Sequence, residues 1–148
     1  MKVEFHSGVP DKLLHACRLL RKSHAAGARV VVTGERAALD RLDPLLWTFD
    51  PLSFVAHIRL RDGAPPPDAT VRERTPVWLA DAPAQAVRCS VLVNLGPEMA
   101  AGWTAFERVI EIVDTSPDDS AQARARWKRY GEVPGVERVH HALGSAAP

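Results

Sequence analysis

The spacing of hydrophobic residues changes twice within the first third of the chain, and these changes predict a β-α-β unit. Polar and apolar residues alternate over residues 2–5, which predicts a short strand that ends in a turn at residues 6–8. Over residues 11–26 the apolar side chains recur every three or four positions, which is typical of an amphipathic helix with Asp11 as its cap and Gly27 after its end. Residues 29–33 form a continuous apolar run, as expected for a buried parallel strand.

The next segment predicts two short helices and an extended stretch. Residues 35–42 continue the helical pattern. Asp43 and Pro44 then predict a new helix start, because aspartate is a favourable cap and proline is tolerated at the first helical position. Residues 45–47 therefore form one short turn of helix, and residues 53–58 leave it as an extended segment.

Strands and helices continue to alternate in the second half of the chain. Residues 61–75 are polar and include three consecutive prolines, which predicts an exposed loop. Strands are predicted at residues 76–79, as an edge strand, and at residues 89–94, 108–113 and 136–140. Helices are predicted at residues 97–106 and from Asp118 or Asp119 to Tyr130, before Gly131 and Pro134.

This alternation predicts the fold class. Strands that follow helices, two of them as continuous apolar runs, indicate an α/β three-layer sandwich around a largely parallel central sheet. The topology is expected to be Rossmann-like but without a nucleotide-binding loop. The 148 residues fit a single domain, with a frayed tail from about residue 142.

Composition narrows the classes of protein further. The formal net charge of +1 provides no overall field that would hold the protein on DNA, so any DNA contact is expected to be indirect or weak. No apolar signal segment or membrane span is evident, which predicts a cytoplasmic protein that does not bind membranes. Cys17 and Cys89 have neither disulfide nor metal-ligand spacing and are expected to be small buried side chains.

Motifs for nucleotide binding or hydrolysis are missing where an α/β fold would carry them. The loops after the first two strands read HSGVPDK and TGERAAL, which match no phosphate-binding glycine motif, and the chain has no GxSxG sequence. The six histidines are scattered, and on a strand His140 and His141 would point to opposite faces. The sequence therefore predicts no catalytic residue, no cofactor and no metal site.

Two groups of residues stand out against this background. Arg124, Trp127 and Lys128 are neighbours on one face of the last predicted helix, where two cations beside an indole would suit an anionic peptide with an apolar end. The alternative is a solvated charged face with Trp127 turned to the core.

The second group is a cluster of aromatic residues. Trp47, Phe49 and Phe54 lie within the sixteen residues 42–57 and either fill the core or form an interface anchor.

In this order and spacing the chain resembles the chi subunit of bacterial DNA polymerase III holoenzyme. The resemblance rests on LDPLLW at residues 42–47, SFVAH at 53–57, VLVN at 91–94, and the WKxY helix at 127–130 that leads to VPGV at 133–136. The family commonly has tyrosine where Trp127 stands and proline where Ala56 stands.

The resemblance implies a noncatalytic subunit that links the clamp loader to single-stranded DNA-binding protein. It implies that Trp47 and Phe54 bind the psi subunit or another clamp-loader component. It further implies that Arg124, Trp127 and Lys128 hold the acidic C-terminal tail of the single-stranded DNA-binding protein. The remaining hypothesis is a small α/β enzyme or nucleotide-binding domain that uses an unrecognised site.

Overall fold

A seven-stranded parallel sheet forms the centre of the protein in a computed structural model that describes residues 1–86 and 88–143. In chain order its strands are β1 (Lys2–Val9), β2 (Val30–Thr33), β3 (His57–Leu60), β4 (Val77–Ala80), β5 (Val91–Asn94), β6 (Arg108–Asp114) and β7 (Glu137–Ala142). They lie in the order β3-β4-β2-β5-β6-β1-β7, and every neighbouring pair is parallel. The sheet's edges are therefore β3 and β7.

Helices cover both faces of this sheet. They are α1 (Lys12–Ala25), α2 (Arg36–Thr48), α3 (Ala69–Arg74) and α4 (Pro117–Gly131). Leu20 of α1 and Leu46 of α2 pack with Val32 and Ile110 on one face. Tyr130 of α4 packs on the other face in a separate core. The prediction of an α/β three-layer sandwich is confirmed, and in the described part of the chain the sheet is parallel throughout.

The predicted helix cap is confirmed at α1 and is wrong at α4. The side chain of Asp11 accepts a hydrogen bond from the amide of Leu14 at the start of α1. At α4 the cap is Ser116 instead of the expected Asp118 or Asp119, and Pro117 occupies the first turn. The acidic residues of that turn still complement the positive end of the helix dipole.

The predicted break at Pro44 is wrong, because α2 runs through it. Pro44 lies inside a continuous helix of 13 residues. Leu39, Leu42 and Leu46 are all buried along one side of α2. Burying this apolar face against the sheet outweighs the backbone hydrogen bond that proline removes.

Three further predictions of local structure are wrong. Residues 69–74, expected in a loop, form α3 because Asp68 caps its first turn through the amide of Val71. Residues 97–106 contain only the short 3-10 turn Trp103–Ala105 instead of a helix. The expected edge strand at residues 76–79 corresponds to β4, which lies between β3 and β2 with all four residues buried.

The first and last strands, β1 and β7, lie side by side in parallel. β1 is longer than predicted because the expected turn at residues 6–8 continues the strand as far as Val9. Ala142 ends β7, and the amide of Leu143 donates to the carbonyl of Ser7. The rest of the expected frayed tail, residues 144–148, lies outside the described residues. Within the described part of the chain, no helix has the length and apolar character that crossing a membrane requires.

Candidate functional site

A buried polar network fixes α4 on the sheet. The hydroxyl of Tyr130 donates to Oε2 of Glu111 at 2.6 Å, and the amide of Asn94 donates to Oε1 at 3.0 Å. Arg126 forms an ion pair with Glu111 at 3.2 Å and also donates to the carbonyl of Pro97. All four side chains are almost fully buried. Since charged groups in such surroundings need their partners, α4 is held in one rotational position.

This rotation turns the neighbouring face of α4 toward a groove beside the ends of β1 and β6. The groove has a volume of about 530 Å³. It is lined by Phe5, Ser7, Gly8, Val113, Asp114, Thr115, Ser120, Ala123, Arg124, Trp127 and His140. We call it the β1–α4 groove. It combines an apolar floor with a cationic and aromatic wall, which suits an extended peptide that carries both anionic and apolar groups.

Trp127 is held in place by contacts from three sides. Its ring meets Phe5 edge-on with centroids 5.3 Å apart. The guanidinium of Arg138 lies 4.6 Å from the centroid of the indole, and Arg138 also donates to the carbonyl of Trp127 at 3.1 Å. The ring of His140 lies 6.1 Å away. Trp127 is half-buried: it packs against the core that contains Phe5 and Tyr130, and it also lines the groove.

The two predicted cations of α4 lie at different distances from the groove. Arg124 lines it, whereas Lys128 is exposed on the same helix and is not among the lining residues. Among the described residues, neither side chain has a salt-bridge or hydrogen-bond partner. Both charges are therefore available to a ligand, Arg124 in the groove lining and Lys128 on the exposed surface of the same helix.

Asp114 gives the opposite end of the groove a negative charge. Burial alone would raise the pKa of Asp114, but the hydrogen bonds from Ser116 and the charge of Lys12 outweigh burial and hold that pKa below its ordinary value. Asp114 is consequently ionised at neutral pH. The groove has an acidic end near the start of α4 and a basic side further along the helix.

The aromatic residues of the α2–β3 connection divide between surface and core. Trp47 is 48% exposed, Phe54 is 68% exposed, and their ring centroids lie 5.3 Å apart. Leu52 beside them is 96% exposed. Phe49 is partly buried and packs against the core, as does Leu45. We call Trp47, Leu52 and Phe54 the aromatic surface.

His57 supports the aromatic surface from beneath. Its side chain is fully buried, and its ring centroid lies 4.3 Å from that of Trp47. The two ring nitrogens lie 2.7 Å from the carbonyl of Val55 and 2.9 Å from the carboxylate of Asp43. One face of the Trp47 ring therefore packs on the hydrogen-bonded ring of His57, while its outer face remains exposed.

A second cavity lies at the carboxyl ends of β2, β4 and β5, where open α/β sheets commonly bind ligands. Its volume is about 380 Å³. Three carboxylates line it, those of Glu35, Asp81 and Glu98, and among the described residues no lysine or arginine does so. Arg59 and Arg36 pair with Asp81, so this lining offers a phosphate group two carboxylates, those of Glu35 and Glu98, and no cation. The geometry therefore gives no support to the alternative of a nucleotide-binding domain.

Sequence reasoning found Arg124 and Trp127 but missed their partners on the neighbouring strands. Phe5 and His140 occupy paired positions of β1 and β7, and Arg138 lies two residues before His140. Residues two apart on a strand share a face, so a predicted strand at 136–140 contained part of this signal. The sequence did not predict that β7 pairs with β1, and this pairing is what brings His140 next to Phe5.

The family model for DNA polymerase III chi subunit, HolC, matches residues 1–134. The matched range contains the aromatic surface, β1 to β6 and the whole of α4. It ends before β7, which supplies Arg138 and His140. The comparison with curated proteins found no match.

Proposed function

We propose that this chain, which belongs to the DNA polymerase III chi subunit family, is a noncatalytic accessory subunit that links two partners of the replication machinery. One partner is the acidic C-terminal tail of single-stranded DNA-binding protein, held in the β1–α4 groove. The other is the psi subunit or another clamp-loader component, bound at the aromatic surface. Membership of a family of DNA polymerase III subunits supports the role in DNA replication.

The observation that carries the tail proposal is that Arg124, a cation without a partner among the described residues, lies beside the packed indole of Trp127. Arg124 has no partner among the described residues and lies on the same helical face as Trp127. Charge-assisted hydrogen bonds from Arg124 and Lys128 would hold the carboxylates of the tail. Its terminal apolar side chain would pack on Trp127 above the floor formed by Phe5 and Val113.

The charge distribution of the groove also orients the tail. Asp114 repels carboxylates at the acidic end, so the anionic part of the peptide lies toward Arg124 and the exposed Lys128. Specificity for an acidic tail then depends on the position of charges along the groove as well as on the net charge.

The aromatic surface supports a protein contact because its exposed rings contact each other and a buried histidine. Trp47 and Phe54 pack against each other, and buried His57 fixes Trp47 from below. Large aromatic residues that need no reorganisation are the usual anchors of protein interfaces.

The position of the two surfaces in the sheet allows both partners to bind at once. The aromatic surface adjoins β3, and the groove adjoins β1 and β7, so they lie toward opposite edges of the sheet. Seven strands span about 29 Å between the first and the last. This separation supports a linking role, since neither partner would cover the site of the other.

The test is binding of a labelled peptide with the acidic tail sequence, measured by fluorescence polarisation. Lys128→Glu should abolish binding, and Arg124→Ala should weaken it about tenfold through loss of a charge-assisted hydrogen bond. Arg129→Glu is the matched control, because it makes the same change of charge on a different face of α4. Undiminished affinity of the Lys128→Glu protein would contradict the proposal.

A nucleotide titration followed by thermal unfolding distinguishes the linking subunit from the remaining hypothesis, a small α/β enzyme or nucleotide-binding domain. A specific ligand raises the melting temperature by mass action. A clear rise with ATP or a dinucleotide, together with no peptide binding, would favour a nucleotide-binding domain. We expect no such rise, given the acidic lining of the second cavity.

A further inference from the structure

The sheet brings together histidines that are scattered in the sequence. His6 of β1 and His141 of β7 are paired residues in the parallel register, although 135 positions along the chain separate their numbers. Glu4 lies two residues before His6 on β1 and therefore on the same face. Within the described part of the chain, one ligand atom from each of Glu4, His6 and His141 lies within 4.8 Å of the others.

A fourth side chain orients the central histidine. Nε2 of His15, from α1, lies 2.9 Å from Nδ1 of His6, at hydrogen-bond distance. The rings of His15 and His141 both meet the ring of His6 edge-on. Because Nδ1 of His6 is bonded to His15, its Nε2 is the nitrogen that remains, and it lies 4.0 Å from Oε2 of Glu4.

We propose that Glu4, His6 and His141 bind a zinc ion, with His15 as a positioning residue. Two imidazoles and a carboxylate are a ligand set that zinc accepts, and zinc bonds of about 2.0–2.1 Å in tetrahedral geometry place ligand atoms about 3.3 Å apart. Side-chain movements below about 1 Å bring atoms 4.0–4.8 Å apart to that spacing. His141 is exposed, so water fills the fourth position.

The hydrogen bond between His15 and His6 fits this role. When Nε2 of His6 binds the metal, its Nδ1 carries the proton, and this N–H donates a hydrogen bond to Nε2 of His15. Outer partners of this kind fix the tautomer and the ring orientation of a ligand histidine. The same arrangement makes zinc a clamp that joins β1 and the edge strand β7 next to α1.

Two neighbouring cations oppose the metal. Arg108 donates to Oε2 of Glu4 at 2.6 Å, and Lys2 forms an ion pair with Oε1 at 3.2 Å. The two cations compete for the carboxylate that zinc needs and repel the ion itself. Replacing Arg108 with glutamine should therefore tighten zinc binding, an effect opposite to that expected from a loss of general stability.

The zinc site is separate from the β1–α4 groove. His140 lines the groove, and His141, the next residue of β7, points to the opposite face of the sheet. His141 also lies beyond residues 1–134, which the family model matches. The inference therefore rests on this chain's own β7, and zinc binding and peptide binding can fail independently.

Zinc titration of the untagged full chain by calorimetry tests the proposal. We expect one zinc ion per chain, and Co²⁺ should give the visible absorption of a four- or five-coordinate site. His141→Ala should remove the binding, and His15→Ala should weaken it about 10–100-fold. His24→Ala removes a histidine of α1 outside the cluster and should leave affinity unchanged. Arg108→Gln should bind zinc more tightly than the unaltered chain.

Peptide affinity and melting temperature complete the test. His141 is exposed, so the His141→Ala protein should fold and bind the acidic peptide as well as the unaltered chain does. Zinc should raise the melting temperature of the unaltered chain but not of the His141→Ala protein. The proposal is overturned if the chain binds no zinc, or if His141→Ala and His24→Ala bind zinc equally well.

Discussion

Tyr130 and Glu111 are joined by a 2.6 Å hydrogen bond inside the protein, with the phenol as donor and the buried carboxylate as acceptor. This bond connects the last turn of α4 to the centre of β6. Because Tyr130 and Arg126 both face Glu111, the intervening Trp127 is turned toward the groove. The buried network is thus the structural support of the proposed peptide site.

Removing the arginine of this network should be strongly destabilising. We expect Arg126→Met to lower the free energy of unfolding by about 3–5 kcal/mol, since it leaves the Glu111 carboxylate buried without its cation. The double variant Glu111→Gln/Arg126→Met should recover part of this loss, because no buried charge remains and the amide oxygen still accepts from Tyr130. The recovery is incomplete because the amide nitrogen then faces the amide of Asn94, which donates to Oε1 of Glu111 in the unaltered chain. Urea unfolding of the four proteins in the cycle measures both effects. A double variant no more stable than Arg126→Met would contradict the explanation.

The stability of the Arg126→Met protein should also depend on pH. Burial raises the pKa of Glu111, and Arg126 opposes this shift. Without Arg126 the pKa of Glu111 in the folded protein should lie further above its unfolded value. A raised pKa means that the folded state binds the proton more tightly, so the stability contribution is present at low pH and is lost as pH rises through the folded pKa. Urea unfolding at pH 5 and pH 8 should therefore show a smaller penalty at pH 5 for Arg126→Met relative to the unaltered chain.

Gly8 should not tolerate a side chain. It has φ +67°, and a Cβ placed there would lie 2.5 Å from the carbonyl oxygen of Leu143. Gly63 has φ +79° but nothing within 4 Å of such a Cβ. Gly63→Ala should cost about 1–2 kcal/mol from backbone conformation alone, and Gly8→Ala should cost more. Thermal unfolding of the two variants isolates the clash, and equal losses would show that Leu143 moves away freely.

The aromatic surface should be dispensable for folding but required for binding a partner. Phe54→Ala should change the free energy of unfolding by less than about 0.5 kcal/mol, because the ring is mostly exposed. Phe49→Ala should cost roughly 2 kcal/mol, because that ring packs against the core. Capture of clamp-loader components by immobilised protein should fall for Phe54→Ala and Trp47→Ala. Full retention by both variants would remove the aromatic surface from the proposed interface.

Local patterns predicted much of the fold. Continuous apolar runs identified β2 and β5, and the helical spacing of apolar residues identified α1, because both patterns arise within one element. The errors occurred where distant contacts decide the outcome. Pro44 is tolerated because buried leucines on both sides of it hold α2 against the sheet. β4 is internal because β3 pairs along its outer side.

The same distinction applies to the candidate sites. Arg124, Trp127 and Lys128 were predicted as one patch from helical spacing, and the structure places Arg124 and Trp127 in the groove with Lys128 outside its lining. From sequence patterns alone, Trp47 and Phe54 could lie in the core or on the surface, and the resemblance predicted the surface. Both side chains are exposed in the structure.

The sequence by itself determined the alternating elements and the cationic and aromatic face of α4, because these depend on residues close together in the chain. It also determined the resemblance to the chi family, which rests on the order and spacing of short motifs over residues 42–136. Tertiary structure alone decided that β7 pairs with β1, which brings His140 to the groove and His141 to His6. It also decided that Glu111, on a strand of apolar neighbours, meets Arg126 and Tyr130. The physical reason is that strand order and helix rotation are set by packing across the whole sheet. Neither can be predicted from the spacing of residues within one element.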